Sequence, residues 1–331
     1  MTADAPYRKE ERGAALIVVL LLIATLSFIL LSITNVVTAA VRRSAADRAR
    51  TDFYWRAAAG ELIAQEILEK YLATSPTKMA SGEGIFAKPV EVPIEGGKAS
   101  IGFRDATLCF NINSLVAGGP GTYIENPLAI EGFTAMLEAL GLGSGEANKL
   151  ADVIVDFIDS DSSAHGQGSE DGFYSALPTP YRTSGQLIKS MSELRAMDSV
   201  SRSVYQRIRP YLCALDMTSN ATVNVNMARP DRSGTSLDPT PVLLAYFPTG
   251  AGMTASKLSS LLQAIPPGGF PSKAAIDPEL ATAPGFDVIS EHIEAVIKLE
   301  VNDLTIEEKL LFETKVGAPP KLLARSFGDD Y

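Results

Sequence analysis

The stretch "RGAALIVVLLLIATLSFILLSI", Arg12 to Ile33, decides how the chain is read. Twenty residues from Ala14 to Ile33 are almost wholly apolar, and at about 1.5 Å per helical residue they extend about 30 Å, enough to cross the hydrocarbon of a bilayer. Thr25, Ser27 and Ser32 are the polar interruptions, and a hydroxyl in a helix satisfies itself by bonding to the preceding turn. The run is too long for the apolar region of a secretory signal and lacks a small-residue stop of that kind. A charged leader with Arg8, Lys9 and Arg12 precedes it and places the N-terminus in the cytoplasm, although Arg42 and Arg43 on the far side oppose that asymmetry.

No Pro or Gly occurs between Ala14 and Ala59. Phe53, Ala57, Ile63, Ile67 and Leu68 recur at helical spacing among charged residues, so the span continues as an amphipathic helix, about 50–55 residues in all. So long a helix needs a structural cause, since helices of globular domains average three or four turns.

Outward from that helix, residues 73–110 shift to Gly, Pro and β-branched types, and "KPVEVPIEGGKASIGFRDA" reads as strands joined at Gly96-Gly97. Residues 111–285 read as helices and loops, with helical segments at 126–140, 146–159, 192–198, 201–213 and 254–264. Residues 286–331 return to strands: in "HIEAVIKLEVN", Ile293, Ala295, Ile297 and Leu299 alternate with Glu294, Val296, Lys298 and Glu300, and "IEEKLLFETKV" can pair with it antiparallel. Strands, a helical block, then strands again describe one α+β sheet domain with a large helical insertion. Two helical-hairpin signals lie inside the block, "SMSELRAMDSVSRSVYQRIRPYL" and "VNVNMARPDRSGTS" followed by "AGMTASKLSSLLQAI". Hairpins that grip nucleic acid need a Gly-rich tip and positive charge. Asp198 occupies the first tip and the chain carries a formal charge of −10, so nucleic acid is not an expected partner.

Chemistry concentrates in "LADVIVDFIDSDSSAHGQGSEDGFY", where Asp152, Asp156, Asp159, Asp161, Glu170 and Asp171 fall within twenty residues. Crowded carboxylates repel one another, and a hard divalent cation with oxygen ligands is the natural remedy. With Asp159 at position 1 of an EF-hand frame, Asp161, Ser163 and Glu170 take positions 3, 5 and 12, but Ala164 replaces the Gly of position 6. A calcium loop of another kind is therefore expected. Magnesium's strict octahedral demand and zinc's preference for nitrogen and sulfur fit less well. His165 is expected to be an exposed loop residue and His292 a structural one. No nucleophile elbow, phosphate-cradling loop or metalloprotease helix accompanies the acids, so no enzymatic activity is expected. Cys109 and Cys213, the only two cysteines, match no zinc spacing and are candidates for one disulfide if the soluble part lies outside the cytosol.

Taken together, "RGAALIVVLLL", "LCFNINSL", "LADVIVDFIDSD", "SEDGFY", "PYRTSGQ", "SMSELRAM", "IRPYLCAL" and "VNVNMA" resemble the K-type minor pseudopilins of type II secretion systems (the GspK family) over nearly the whole chain. The resemblance implies a type IV pilin-like fold, a long N-terminal helix on an antiparallel sheet, with a large inserted helical domain. It implies a prepilin leader over residues 1–13, a helix over 14–72, cleavage by prepilin peptidase between Gly13 and Ala14, and N-methylation of Ala14. One or two structural calcium ions would be held by Asp159, Asp161, Glu170 and Asp171, with Asp156 a weaker candidate. Implied partners are the I- and J-type minor pseudopilins at the tip of a periplasmic pseudopilus and the inner-membrane assembly platform. The expected location is the inner membrane, single pass, with the soluble part in the periplasm. The fifth residue after Gly13 is Val18, where ordinary pilins carry Glu. The alternative is a minor pilin of a type IV pilus or competence system that contacts surfaces or DNA. The segment "PTPVLLAYFPTGAGM" is longer and looser than the family pattern leads one to expect.

Overall fold

A computed structural model describes residues 10–74, 77–229, 237–247, 252–283, 285–301, 304–315 and 317–327. Residues 1–9 of the expected leader, part of the second expected hairpin (230–236) and part of the Pro-rich segment (248–251) lie outside the described residues. Helix α1 is Glu10–Thr74, 65 residues, longer than the 50–55 expected because it takes in the end of the expected leader at one side and reaches Thr74 at the other. Pro76 follows in sequence, and the residue before a proline is biased away from helical torsions. The chain divides into two compact units within this helix, residues up to Ala59 and residues from Gly60.

In the first unit the apolar side chains from Leu16 to Val41 are exposed, as suits a segment surrounded by hydrocarbon rather than protein. Thr25 and Thr34 donate their hydroxyls to the carbonyls of Leu22 and Leu30, 2.9 and 2.8 Å away, which satisfies both groups within the helix. The helix is long and apolar enough to cross a membrane.

In the second unit the last turns of α1 bury Ala64, Leu68 and Leu72 at four-residue spacing, with Ile63 and Ile67 half buried beside them. Their partner is a five-stranded antiparallel sheet of β1 (Val90–Ile94), β2 (Gly97–Asp105), β9 (His292–Val301), β10 (Leu304–Glu313) and β11 (Lys321–Phe327), in that spatial order. Register places Ile101 opposite Ile297 and Ile297 opposite Glu308. Ile101, Ile297, Leu299, Leu310 and Phe312 are buried, whereas Lys298 and Glu300 are exposed, the alternation that the sequence of β9 announces. A side chain at Gly60 would press on the Ile297 side chain at 3.3 Å, so the glycine lets helix and sheet approach closely.

Residues 106–291 separate β2 from β9, so the helical block interrupts one sheet. Its elements are β3 (Phe110–Asn111), β4 (Val116–Ala117), β5 (Ile124–Glu125), α2 (Pro127–Ala139), α3 (Ser144–Ile158), α4 (Asp171–Ser175), α5 (Arg202–Ile208), β6 (Leu212–Cys213), β7 (Val223–Asn224), α6 (Thr240–Leu244), α7 (Ala255–Gln263) and β8 (Phe286–Asp287). The first hairpin signal is realised as a 3-10 helix, Met191–Ala196, followed by α5, not as two α-helices. Ser190 and Glu193 form the capping box that starts it.

The block is built twice on one plan. "FNINSL" and "VNVNMA" each give a two-residue strand and a 3-10 turn, and each strand pairs in parallel with a later one, β3 with β6 and β7 with β8. The second Asn of each motif clasps the backbone of one distant residue. Asn113 accepts from the amide of Ile188 at 2.8 Å and donates to its carbonyl at 2.9 Å, and Asn226 treats Phe270 alike at 2.7 and 3.0 Å. Each clasp satisfies a buried amide at both ends, which is why Asn can sit wholly buried here. A single core from Phe110 to Val288 joins the two halves, with Phe110 and Phe133 5.1 Å apart between ring centres.

Candidate metal centre

Helix α3 has one apolar face, which includes Leu150, Ile154 and Ile158, and it carries Asp152, Asp156 and Asp159 at intervals of four and three along another. The helix stops at Asp159, whose backbone is extended. The following loop folds back because two of α3's carboxylates, and Asp161 of the loop itself, cap its amides. The His165 amide donates to Asp156 Oδ1 at 2.9 Å, the Gln167 amide to Asp152 Oδ2 at 2.8 Å, and the Ser163 amide to Asp161 Oδ1 at 2.7 Å. Gly168 closes the loop, its amide donating to the His165 carbonyl at 2.7 Å, and a Cβ there would stand 2.0 Å from Asp156 Oδ2. Only glycine fits against that oxygen.

The fold thereby brings together Asp156, Asp159 and Glu170, one oxygen of each lying within 4.8 Å of the others. Asp156 Oδ2, Asp159 Oδ1 and Glu170 Oε1 are buried and accept no hydrogen bond within the protein. Burial pushes Asp156 up to about 6, against an amide bond from His165 that lowers it and the charges of Asp159 and Asp152 that raise it further. Burial likewise raises Asp159 to about 6, and the charges of Asp161 and Glu170 add to it. Glu170 rises for the same reasons, burial first and Asp156 second. Three mutually repelling carboxylates with orphaned oxygens form an all-oxygen donor set, which suits a hard cation of the calcium type, the remaining ligands coming from water or backbone carbonyls.

The other two acids of the expected set stand apart from this triad. Asp171 is committed to the loop beyond α4: its Oδ1 accepts from the amide and hydroxyl of Thr183 at 2.9 and 3.0 Å, and Arg182 lies 3.7 Å from its other oxygen. Asp161 is exposed and caps Ser163. Two residues that the sequence did not assign to the site brace it. His165, expected to be exposed, is half buried, with Nδ1 2.5 Å from Glu125 Oε2 and Nε2 3.6 Å from Asp152 Oδ1. Asp198, at the first hairpin tip, lies 3.2 Å from Lys149 of α3 and accepts from Ser169 at 3.2 Å. Burial works against its charge, but the bond and charge of Lys149 outweigh that and hold the carboxyl below its usual range.

Cys109 and Cys213 form a disulfide with their Cα atoms 5.7 Å apart, beside the β3–β6 pair. His292 is buried in β9, where burial lowers its basicity. Gly13 and Ala14 lie within α1, and Val18 is one of its exposed apolar residues.

Comparison with known proteins adds sequence kinship to this geometry. Residues 108–217 match the family model for type II secretion system (T2SS) protein K. The type II secretion system protein K of Aeromonas hydrophila is 30% identical over 312 residues, 90% of this chain and 91% of that one. The protein of the same description from Pectobacterium carotovorum is 28% identical over 331 residues, 97% and 98% of the two chains. Among solved structures, a chain of the GspK-GspI-GspJ complex from enterotoxigenic Escherichia coli superposes with a TM-score of 0.69, covering 87% of this chain and 99% of that chain at 22% identity. At that identity the superposition speaks to the fold alone.

Proposed function

The chain belongs to the type II secretion system protein K family, and from that premise we propose that it is the minor pseudopilin that nucleates and caps the tip of a periplasmic pseudopilus. One observation carries this reading: a pilin-type sheet and N-terminal helix interrupted by a block of residues 106–291, in a chain related to protein K along nearly its whole length. The role is structural and assembly-related rather than catalytic. Its partners are the I- and J-type minor pseudopilins, consistent with the composition of the solved complex that the fold matches. The assembly supports export of folded proteins across the outer membrane.

The N-terminal segment does three things in this account. Residues 1–13 form a leader that prepilin peptidase removes between Gly13 and Ala14, after which Ala14 is methylated. Residues 14–33 anchor the chain in the inner membrane in a single pass, with the soluble part in the periplasm and the assembly platform acting on the membrane segment. Val18 offers no carboxylate to the free amine of a neighbouring subunit. In hydrocarbon an unpaired charge costs several kcal/mol, so a subunit without that acid is disfavoured inside a fibre and tolerated at its end.

Asp156, Asp159 and Glu170 hold one calcium ion; of the other expected ligands, Asp171 is engaged by Thr183 and Arg182, and Asp161 caps Ser163. The bound ion supplies only charge compensation. The surrounding residues fix the site: His165 ties the loop to Glu125 and Asp152, and Asp198 ties Ser169 to Lys149 of α3.

Co-expression with prepilin peptidase and the I- and J-type partners tests the reading. The expected product is a ternary complex in which the mature chain begins at methylated Ala14. An unprocessed chain that leaves the I–J pair unbound would refute it.

A further inference from the structure

Past the apolar stretch of α1 comes a cluster of positive charge with no part in the packing of the fold. Arg42, Arg43, Arg48 and Arg50 lie within nine residues of the helix, all of them exposed, and none makes an ion pair among the described residues. Asp47 is the one acid between them. The next acid along the chain, Asp52, lies 2.8 Å from Arg56 and is committed to it. Four arginines less one aspartate leave a local surplus of three positive charges in a chain of net charge −10.

Helix geometry fixes where this surplus sits. From Ala14 to Arg42 the chain climbs 28 residues, about 42 Å at about 1.5 Å each, against about 40–45 Å for a bilayer with its headgroups. The exposed apolar side chains from Leu16 to Val41 fill that thickness, so Arg42 and Arg43 emerge at the headgroup level at the C-terminal end of the span. Arg48 and Arg50 follow about 9–12 Å further on, about one Debye length at physiological salt and near enough to feel the surface. At about 100° per residue the four stand at about 0°, 100°, 240° and 80° around the axis, so they ring the helix instead of lining one face. A protein neighbour is met by one face of a helix. Lipid surrounds it on every side.

The placement also needs a cause. Arginines close to the end of a span are commoner on the cytoplasmic side, and these follow the span on the side assigned above to the periplasm. An anionic membrane surface offsets that bias, because each arginine near it is held there by charge.

We propose that Arg42, Arg43, Arg48 and Arg50 form a collar that binds the anionic phospholipid headgroups of the leaflet at the C-terminal end of the span. Each guanidinium takes phosphate oxygens through its paired N–H donors. The headgroup's net charge sets the preference, since the choline of a zwitterionic lipid cancels its phosphate while an uncharged glycerol does not. The collar thereby sets how deep the helix sits. The inference rests on the reading of residues 14–33 as a membrane anchor and goes beyond it in naming the lipid and the residues that select it.

The test places the full chain in phosphatidylcholine vesicles with a trace of either phosphatidylglycerol or phosphatidylcholine, each bearing the same dansyl-labelled acyl chain. Energy transfer from Trp55, the chain's one tryptophan, reads how closely each labelled lipid gathers, and retention through an alkaline wash reads insertion. Expected is association with phosphatidylglycerol about fivefold or more above phosphatidylcholine, about the factor that one arginine at a charged surface supplies. The preference should fall toward one at about 1 M salt, where the screening length is about 3 Å. Replacing all four arginines by glutamine should abolish it, and replacing them by lysine should keep most of it. The four are exposed on a helix, and glutamine and lysine are helix formers comparable to arginine, so both variants fold as the parent does. A retained chain with equal transfer to the two lipids overturns the proposal and leaves the anchor standing, whereas release of the parent by the alkaline wash overturns both. A preference that survives the glutamine variant takes the role from the arginines and overturns it too. So does a glutamine variant that loses its I- and J-type partners in vesicles free of anionic lipid, which would assign the collar to a protein contact.

Discussion

Replacing Asp156 by Asn should have opposite effects with and without calcium. In the metal-free protein the carboxylates of Asp156 and Asp159 are each raised from 3.8 to about 6, so the folded state carries a penalty for holding them ionised at neutral pH. About 2 pH units correspond to about 3 kcal/mol for one group as a ceiling. The repulsive part is shared between neighbours and screened on the side open to solvent, which leaves about 1–2 kcal/mol recoverable by neutralising one acid. Asn keeps the acceptor that His165 uses, and its new amide donor faces Asp159 Oδ1 and Glu170 Oε1, both without partners. With excess chelator, the Asp156→Asn chain is therefore expected to be more stable than the parent by about 1–2 kcal/mol in urea denaturation. With calcium at about a hundred times the parent's dissociation constant, the parent gains about 2.7 kcal/mol by linkage and the variant gains little, so the order reverses. A variant destabilised to the same extent in chelator and in calcium would refute the cation site and reduce the triad to ordinary packing.

Gly168→Ala places a methyl 2.0 Å from Asp156 Oδ2, so it should abolish the calcium-dependent rise in melting temperature and cost about 1–3 kcal/mol in chelator as well. Removing both cysteines of the 104-residue bridge should lower stability by about 3–5 kcal/mol in oxidising buffer, measured by urea midpoint, with no difference once the parent is reduced. Burial raises Glu308 to about 7 even though Arg325 lies 3.4 Å from it, because neither carboxylate oxygen finds an aligned donor. A raised acid binds more protons folded than unfolded, so this group's contribution falls as pH rises from about 4.5 through 7. Glu308→Gln should flatten that slope and stabilise the chain at pH 8 by about 1–2 kcal/mol. Leu68→Ala, at the fully buried centre of the helix–sheet contact, should cost about 2–5 kcal/mol.

Much of this fold is legible where the signal is local. An uninterrupted apolar run has few other solutions than a spanning helix, and the alternation through Ile293, Ala295, Ile297 and Leu299 fixes which face of β9 is buried. The acids of the triad are visible because Asp156 and Asp159 share a helix and Glu170 follows within one loop. Which acids converge is not visible. Asp161 reads as a ligand by spacing and Asp171 by the family resemblance, but they are engaged by the Ser163 amide and by Thr183, bonds decided by how the loops close. Glu125 and Asp198 reach the site from other elements, and no spacing along the chain announces a partner that arrives through the fold. The paired clasps of Asn113 and Asn226 escape for the same reason, since their targets lie 75 and 44 residues away. Two short motifs of the form Asn-x-Asn were the one available clue.

The central claim, a subunit that ends a fibre rather than building its length, is tested most directly by its copy number and position. Pseudopili assembled with an epitope-tagged form of this chain should each carry one gold particle, at one end. Label distributed along the fibres in many copies would contradict the account.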